Sequence, residues 1–182
     1  MSSSYTMNRL LRFATGIGLV FGITGCNTVS DLVVTHLPNW QRGKVSIIVQ
    51  LSKQEAHLYR GGAEVAEARI STGREGHGTP IGQFTVIRKD ADHCSSLYGS
   101  YVDDSGTVVT HFVDVRKTAK PSNTHLVGAS MPFFLEFSPG YGLHAGYLPG
   151  YPASHGCVRM PYWKARQFFD AAKIGTPVTI ER

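Results

Sequence analysis

The sequence predicts a mainly β domain of the α+β class with one principal helix. Three observations predict it. Runs of β-branched and aromatic residues, each about as long as a strand, recur between Val45 and Ile180. Segments rich in Gly, Pro and Thr separate many of them. Only Pro161 to Lys173 carries apolar residues at a helical period.

The elements follow in order. Val45 to Leu51 is a β-branched strand. Ala56 to Arg60 is a second strand, Gly61 and Gly62 form a hairpin turn, and Glu64 to Ile70 alternates as a third. Residues 71–83 are a loop of Gly, Thr and Pro, and Phe84 to Arg88 is the next strand. Residues 89–106 read as an excursion with turns, Val108 to Val115 as a strand, and residues 116–130 as polar and irregular. Phe133 to Phe137 and Gly142 to His144 are two short strands. Pro161 suits the first turn of the helix, Trp163, Ala165, Phe168, Phe169 and Ala172 continue it, and Gly175 stops it. Pro177 to Ile180 is a closing strand. There is no internal repeat and no low-complexity segment.

Ahead of this domain stands a different kind of sequence. Arg9 and Arg12 precede an apolar run from Phe13 to Gly25, the order of a secretory signal and too short to span a bilayer comfortably. The run ends in Ile23-Thr24-Gly25-Cys26, which resembles the bacterial lipobox. The resemblance implies that residues 1–25 are removed and that Cys26 is lipidated; a plain signal with an incidental cysteine is the alternative. Asn27 in place of Asp favours the outer over the inner membrane by the same resemblance. The expected product is periplasmic and lipid-anchored, with a tether over 26–43 and a catalytic domain over 44–182. Losing residues 1–25, with Arg9 and Arg12 and no acid, lowers the net charge from +5 to +3. No basic run stands out, so no nucleic-acid partner is expected.

Of three cysteines, Cys26 is assigned to the lipid, leaving Cys94 and Cys157 in an oxidising compartment. A nucleophile cannot be tied up in a disulfide, so Cys94 is expected to be free and buried, with a Cys94–Cys157 bridge as the alternative.

Cys157 lies in Ser154-His155-Gly156-Cys157-Val158-Arg159. Thiol catalysis needs a base, because a free cysteine of pKa about 8.5 is mostly protonated at neutral pH. His155 is two residues away, on the same face of an extended segment. His144 ends a predicted strand and returns through a loop containing Gly146, Pro149, Gly150 and Pro152. Gly156 suits a bend that aims successive N–H groups at one point, as an oxyanion hole requires. A small buried cysteine beside a loop histidine is the competing reading. A zinc site from His144, His155, Cys157 and His77 is another, weakened by the lack of CxxC, HExxH or an acidic partner. No metal or cofactor is expected.

At these residues the sequence resembles the L,D-transpeptidase (YkuD) family, whose motif is a His, a loop, then Ser/Thr-His-Gly-Cys, a hydrophobic residue, and Asn or Arg. Ala56-His57-Leu58-Tyr59, Ser71-Thr72-Gly73, Thr79-Pro80-Ile81-Gly82, Met131-Pro132-Phe133-Phe134 and Gly175-Thr176-Pro177-Val178 extend the likeness from about residue 44 to the end. The resemblance implies a β-sandwich or barrel, with the helix after the cysteine. It implies Cys157 as nucleophile and His144 as base, with the Ala145 carbonyl orienting a histidine. The N–H groups of Gly156 and Cys157 become oxyanion donors. His155 shapes the site, Ser154 supports it, and Arg159 anchors a substrate carboxylate or bridges to an acid that shapes the loop. Met131 to Phe134 lines the groove or joins the core.

The expected substrate is a peptidoglycan stem tetrapeptide. D-Ala leaves, a thioester forms, and an amine of another stem or a lysine of a wall-anchored lipoprotein takes the acyl group. An L,D-carboxypeptidase or amidase on the same bonds, or a non-catalytic wall-binding lipoprotein, are the alternatives. The loop after His144 is shorter than in many members, and Arg159 stands where one branch has Asn. His57 reads as a surface residue, His77 as part of a flexible loop, and His93, His111 and His125 as residues without an identifiable partner.

Overall fold

The computed structural model describes residues 43–182. The leader over 1–25, Cys26 and nearly all of the tether lie outside the described residues.

β1 (Val45–Gln50), β2 (Glu55–Arg60) and β3 (Ala63–Arg69) form an antiparallel meander. The turn between β2 and β3 is made by Gly61 and Gly62, at φ +60° and +83°, a pair of left-handed residues that matches the twist of a hairpin. β1 also pairs in parallel with β12 (Pro177–Glu181), and β12 pairs with β4 (Gly82–Thr85). The sheet order is therefore β3-β2-β1-β12-β4. Alternation along β1 sends Ile47 and Val49 inward, and both are completely buried.

A second sheet has the order β11-β10-β9-β5, from Val158–Met160, Tyr141–Ala145, Phe134–Ser138 and Arg88–Asp90. Its Leu135, Leu143, Val158 and Met160 join Ile47, Val49 and Ile180 of the first sheet in one core. The helix α1 (Tyr162–Ala171) adds Ala165 and Phe168 to it. Burying a side chain such as Phe168 contributes about 1.5–3 kcal/mol. Lys89, beside the end of α1, donates through Nζ to the carbonyls of Phe169 and Ala172, both at 2.6 Å, and so closes the orphan acceptors of the last turn. Neither sheet closes on itself, so the architecture is layered sheets rather than a barrel.

The segment predicted as one strand, Phe84 to Arg88, is two. β4 ends at Thr85, the Val86 and Ile87 amides bond to Thr176 and Glu136 carbonyls, and β5 begins in the other sheet. The larger difference lies in residues 89–130. The excursion and the irregular stretch are β6 (Cys94–Asp103) and β8 (Thr124–Ser130), which flank with β7 (Val108–Asp114) a third sheet of order β7-β6-β8. Its strands approach through glycine. A Cβ on Gly99 would lie 2.1 Å from the Val127 carbonyl oxygen, and one on Gly128 2.1 Å from that of Ser95. Residues that break strands in a propensity reading are thus what lets these two strands meet.

Candidate active site

The parallel pair β10–β11 builds the site. Its register sets Leu143 beside Val158 and His144 beside Arg159, so Cys157, one residue before β11, arrives next to the strand that carries His144. Both open on a cavity of about 520 Å³. The third sheet supplies the facing wall through Ser95, Ser96, Leu97 and Tyr98 of β6 and Ala129 and Ser130 of β8. Met131 and Phe134 line the cavity as well, which settles the groove-or-core alternative for those two: Phe134 does both, being fully buried on its other side.

His144 is buried, and its Nδ1 lies 2.8 Å from the Ala145 carbonyl oxygen. A carbonyl only accepts, so Nδ1 carries the hydrogen and Nε2 keeps its lone pair. Burial drives the His144 pKa down to about 4, with Arg159 and His93 adding to the depression and the Ala145 carbonyl opposing it. Burial likewise pushes the Cys157 thiol up, against the pull of the Gly142 N–H and Arg159. At rest Cys157 is therefore a thiol and His144 a neutral imidazole. Cys157 Sγ points toward the Gly140 carbonyl oxygen at 3.7 Å, and the Gly140 N–H is itself held by Glu136 at 2.9 Å.

The turn before Cys157 is tied by Ser154, whose side chain is buried. Its Oγ donates to the Cys157 carbonyl at 2.5 Å and accepts the Gly156 N–H at 3.0 Å. Support from Ser154 is what the sequence led us to expect, but this contact also corrects an expectation. The Gly156 N–H is engaged by Ser154, so of the two amides expected to serve an oxyanion this one is already bonded. Gly156 sits at φ +122°, and a Cβ there would meet Tyr141 Cε1 at 2.5 Å. The Gly156 carbonyl accepts from Thr79 Oγ1 at 2.8 Å, and the Thr79 oxygen in turn accepts the Gly73 N–H at 3.0 Å. The 71–83 loop is thereby fastened under the turn.

His155 also lines the cavity, but its ring is engaged by Arg74. Its Nε2 is 2.8 Å from Arg74 Nη2, and a guanidinium has only donors, so this nitrogen accepts and the ring is neutral. The ring stacks on Tyr98 of β6 at 4.2 Å, and His77 meets it edge-on at 5.0 Å. Partial burial and Arg74 hold its pKa down at about 4. Arg159 is half-buried, and its stem packs beneath Gly146, where a Cβ would lie 3.1 Å from Arg159 Cγ. No carboxylate pairs with Arg159 among the described residues, so the loop-shaping salt bridge is absent. The four residues weighed for zinc do not form a ligand cluster; the described residues that do are His57, Glu64 and Glu67, on the β2–β3 hairpin.

A family model for the L,D-transpeptidase catalytic domain (YkuD) matches residues 44–180. The chain belongs to that family. No curated protein matches it. Among solved structures, an L,D-transpeptidase from Mycobacterium smegmatis aligns at 14% identity with a TM-score of 0.57, over 76% of this chain and 59% of its own. One from Enterococcus faecium aligns at 23% and 0.55, over 76% and 50%. One from Xylanimonas cellulosilytica aligns at 24% and 0.55, over 87% and 71%. The chain thus spans between half and two-thirds of the first two, and at these identities they speak for the fold.

Within this L,D-transpeptidase domain several residues went unseen in the sequence. Arg74, Tyr98, Asp90, His93 and Glu136 all approach the cavity or the residues around it. His93, read as lacking a partner, bonds Asp90 Oδ2 through Nδ1 at 3.0 Å. Cys94, read as buried, is exposed and free at the first position of β6, with its Sγ 3.9 Å from the Asp92 carbonyl oxygen. His57, read as a surface residue, is half-buried between Glu55 and Glu64.

Proposed function

We propose that this L,D-transpeptidase domain transfers the acyl group of a peptidoglycan stem tetrapeptide through a thioester on Cys157. The observation that carries the reading is the His144–Ala145 bond, which leaves Nε2 with its lone pair in the cavity that Cys157 also lines. In the first half-reaction Nε2 takes the thiol proton as sulfur attacks the carbonyl before the terminal D-Ala. The tetrahedral oxyanion meets the Cys157 N–H. His144 then protonates the departing amine, and the thioester remains. In the second, an amine of another stem or of a lipoprotein lysine replaces sulfur, and water in its place gives the carboxypeptidase reaction. Arg159, free of an internal acid, anchors a substrate carboxylate. His155, locked neutral by Arg74, positions the turn. We further place the protein in the periplasm, held by lipid on Cys26; inhibition of the lipoprotein signal peptidase should then leave an unprocessed precursor.

Incubation with a disaccharide-tetrapeptide, followed by mass spectrometry, tests the chemistry. Cross-linked dimers or exchange of D-amino acids support transfer, and tripeptide alone supports the carboxypeptidase. One solved L,D-transpeptidase is described in complex with imipenem. The same carbapenem should add covalently to this chain and not to Cys157→Ala. No adduct and no turnover would overturn the enzyme reading.

A further inference from the structure

The transfer reading leaves one step without a group to perform it. An acceptor amine reaches the thioester as an ammonium, since an unperturbed lysine-type amine has a pKa of about 10.4. It must lose one proton before it can attack and a second as the tetrahedral adduct collapses. His144 returns its proton to the leaving amine in the first half-reaction, and so is free to take one of these. Its Nδ1 faces a carbonyl, with no carboxylate to stabilise an imidazolium.

A second histidine stands in the same cavity. His93 lies between β5 and β6, and both it and the candidate base pack on Phe134. Its ring stacks on the Phe134 ring at 4.3 Å and 20°, while His144 packs against that ring at 6.2 Å. Phe134 cannot move aside, because it fills the space a Cβ on Gly142 would need, 2.4 Å from Phe134 Cε2. His93 Nδ1 is 3.0 Å from Asp90 Oδ2, which sets the hydrogen on Nδ1 in the neutral ring and faces an imidazolium with a carboxylate. His93 Nε2 makes no hydrogen bond among the described residues, yet it is not among the buried atoms without a partner, and the residue lines the cavity. This nitrogen thus keeps its lone pair and some exposure, in a residue that lines the cavity. Around it stand Asp90, Arg88, which bridges Asp90 at 3.7 Å and Glu136 at 2.7 Å, and Glu136 itself. Two carboxylates against one guanidinium leave this wall net negative. Arg159 stands on β11, at the other edge of the sheet from β5, so a carboxylate-bearing donor and a cationic acceptor have separate charged ends to approach.

We propose that His93, held by Asp90, is the acid–base group that serves the acceptor amine; this rests on the acyl-transfer reading above. The ammonium gives one proton to His93 Nε2. The neutral amine then attacks the thioester carbonyl, forming the C–N bond. Its remaining extra proton passes to His144 Nε2, the C–S bond breaks, and the Cys157 thiolate recovers that proton. His93 releases its own to solvent.

The test separates the two half-reactions in the full chain and in the variants H93Q and D90N. Acylation is followed by the imipenem adduct in intact-mass spectra. Aminolysis is followed by exchange of D-methionine into a disaccharide-tetrapeptide. In H93Q, exchange should fall about a hundredfold while adduct formation changes by less than about threefold, with D90N falling between. Hydroxylamine, unprotonated at neutral pH, should take the acyl group from H93Q at close to the wild-type rate, a rescue that a merely structural defect would not give. Unchanged exchange in H93Q, equal losses in both half-reactions, or an equal defect with hydroxylamine would each overturn the assignment. If the wild type forms no adduct at all, the Cys157 reading itself fails, and this one with it.

Discussion

The neutral state of His144 ties acid stability to the site. In the unfolded chain this histidine takes up a proton near its ordinary 6.5, whereas the fold holds it neutral until about pH 4. Between those values the unfolded state binds the proton and the folded state does not. Stability is thus unaffected above about pH 6.5 and falls as the pH drops toward 4, where the loss levels off. The two limits put the loss at about 3 kcal/mol by pH 4. Replacing His144 with Gln removes the titrating group and the loss with it. Urea unfolding of both proteins at about pH 7.5 and about pH 4 measures the effect. The variant should gain about 3 kcal/mol relative to wild type between the two conditions, whatever its offset at neutral pH. His155, also held down, is common to both proteins and cancels. A difference between the two proteins that does not change with pH would refute the buried, neutral imidazole.

Two further outcomes follow from the packing. Gly156→Ala forces a Cβ into the Tyr141 ring at a φ of +122° and should cost about 1–3 kcal/mol in backbone strain alone, read as a lower melting temperature. Removing the ring in Gly156→Ala/Tyr141→Ala should relieve the overlap without restoring the wild-type value. Lys89→Met keeps the stem over the Phe169 ring but strips the last carbonyls of α1 of their donor. It should cost about 1.5–3 kcal/mol and speed amide exchange in the final turn.

The arrival of Cys157 beside the strand that carries His144 was legible because it depends on a strand, a tight loop and a return, and each leaves a mark in the sequence. Gly142 to His144 is apolar and extended, the loop is dense in Gly and Pro, and Gly156 announces the bend. The meander β1 to β3 and the helix were legible for the same reason. The third sheet was not, because β6 is rich in Ser, Gly and Tyr, β8 mixes Thr, His, Gly and Ser with few apolar residues, and their close approach depends on Gly99 and Gly128. One wall of the cavity rides on that sheet, so Tyr98 was hidden with it, as was His93 in the turn just before β6. The partner of the Gly156 N–H was hidden for another reason. Ser154 Oγ accepts from the amide two residues ahead, a local choice that competes with any role for that amide in catalysis.

The place of β12 has a consequence for how the molecule comes into being. The last strand of the chain lies between β1 and β4, in parallel with the first strand of the domain. Until Pro177–Glu181 has left the ribosome, β1 and β4 have no common neighbour, and Val178 and Ile180 are missing from the core beneath β10. Contacts that span nearly the whole domain close late. On the mechanism proposed above, the site that holds Cys157 and His144 is complete only once the core has closed over the final strand.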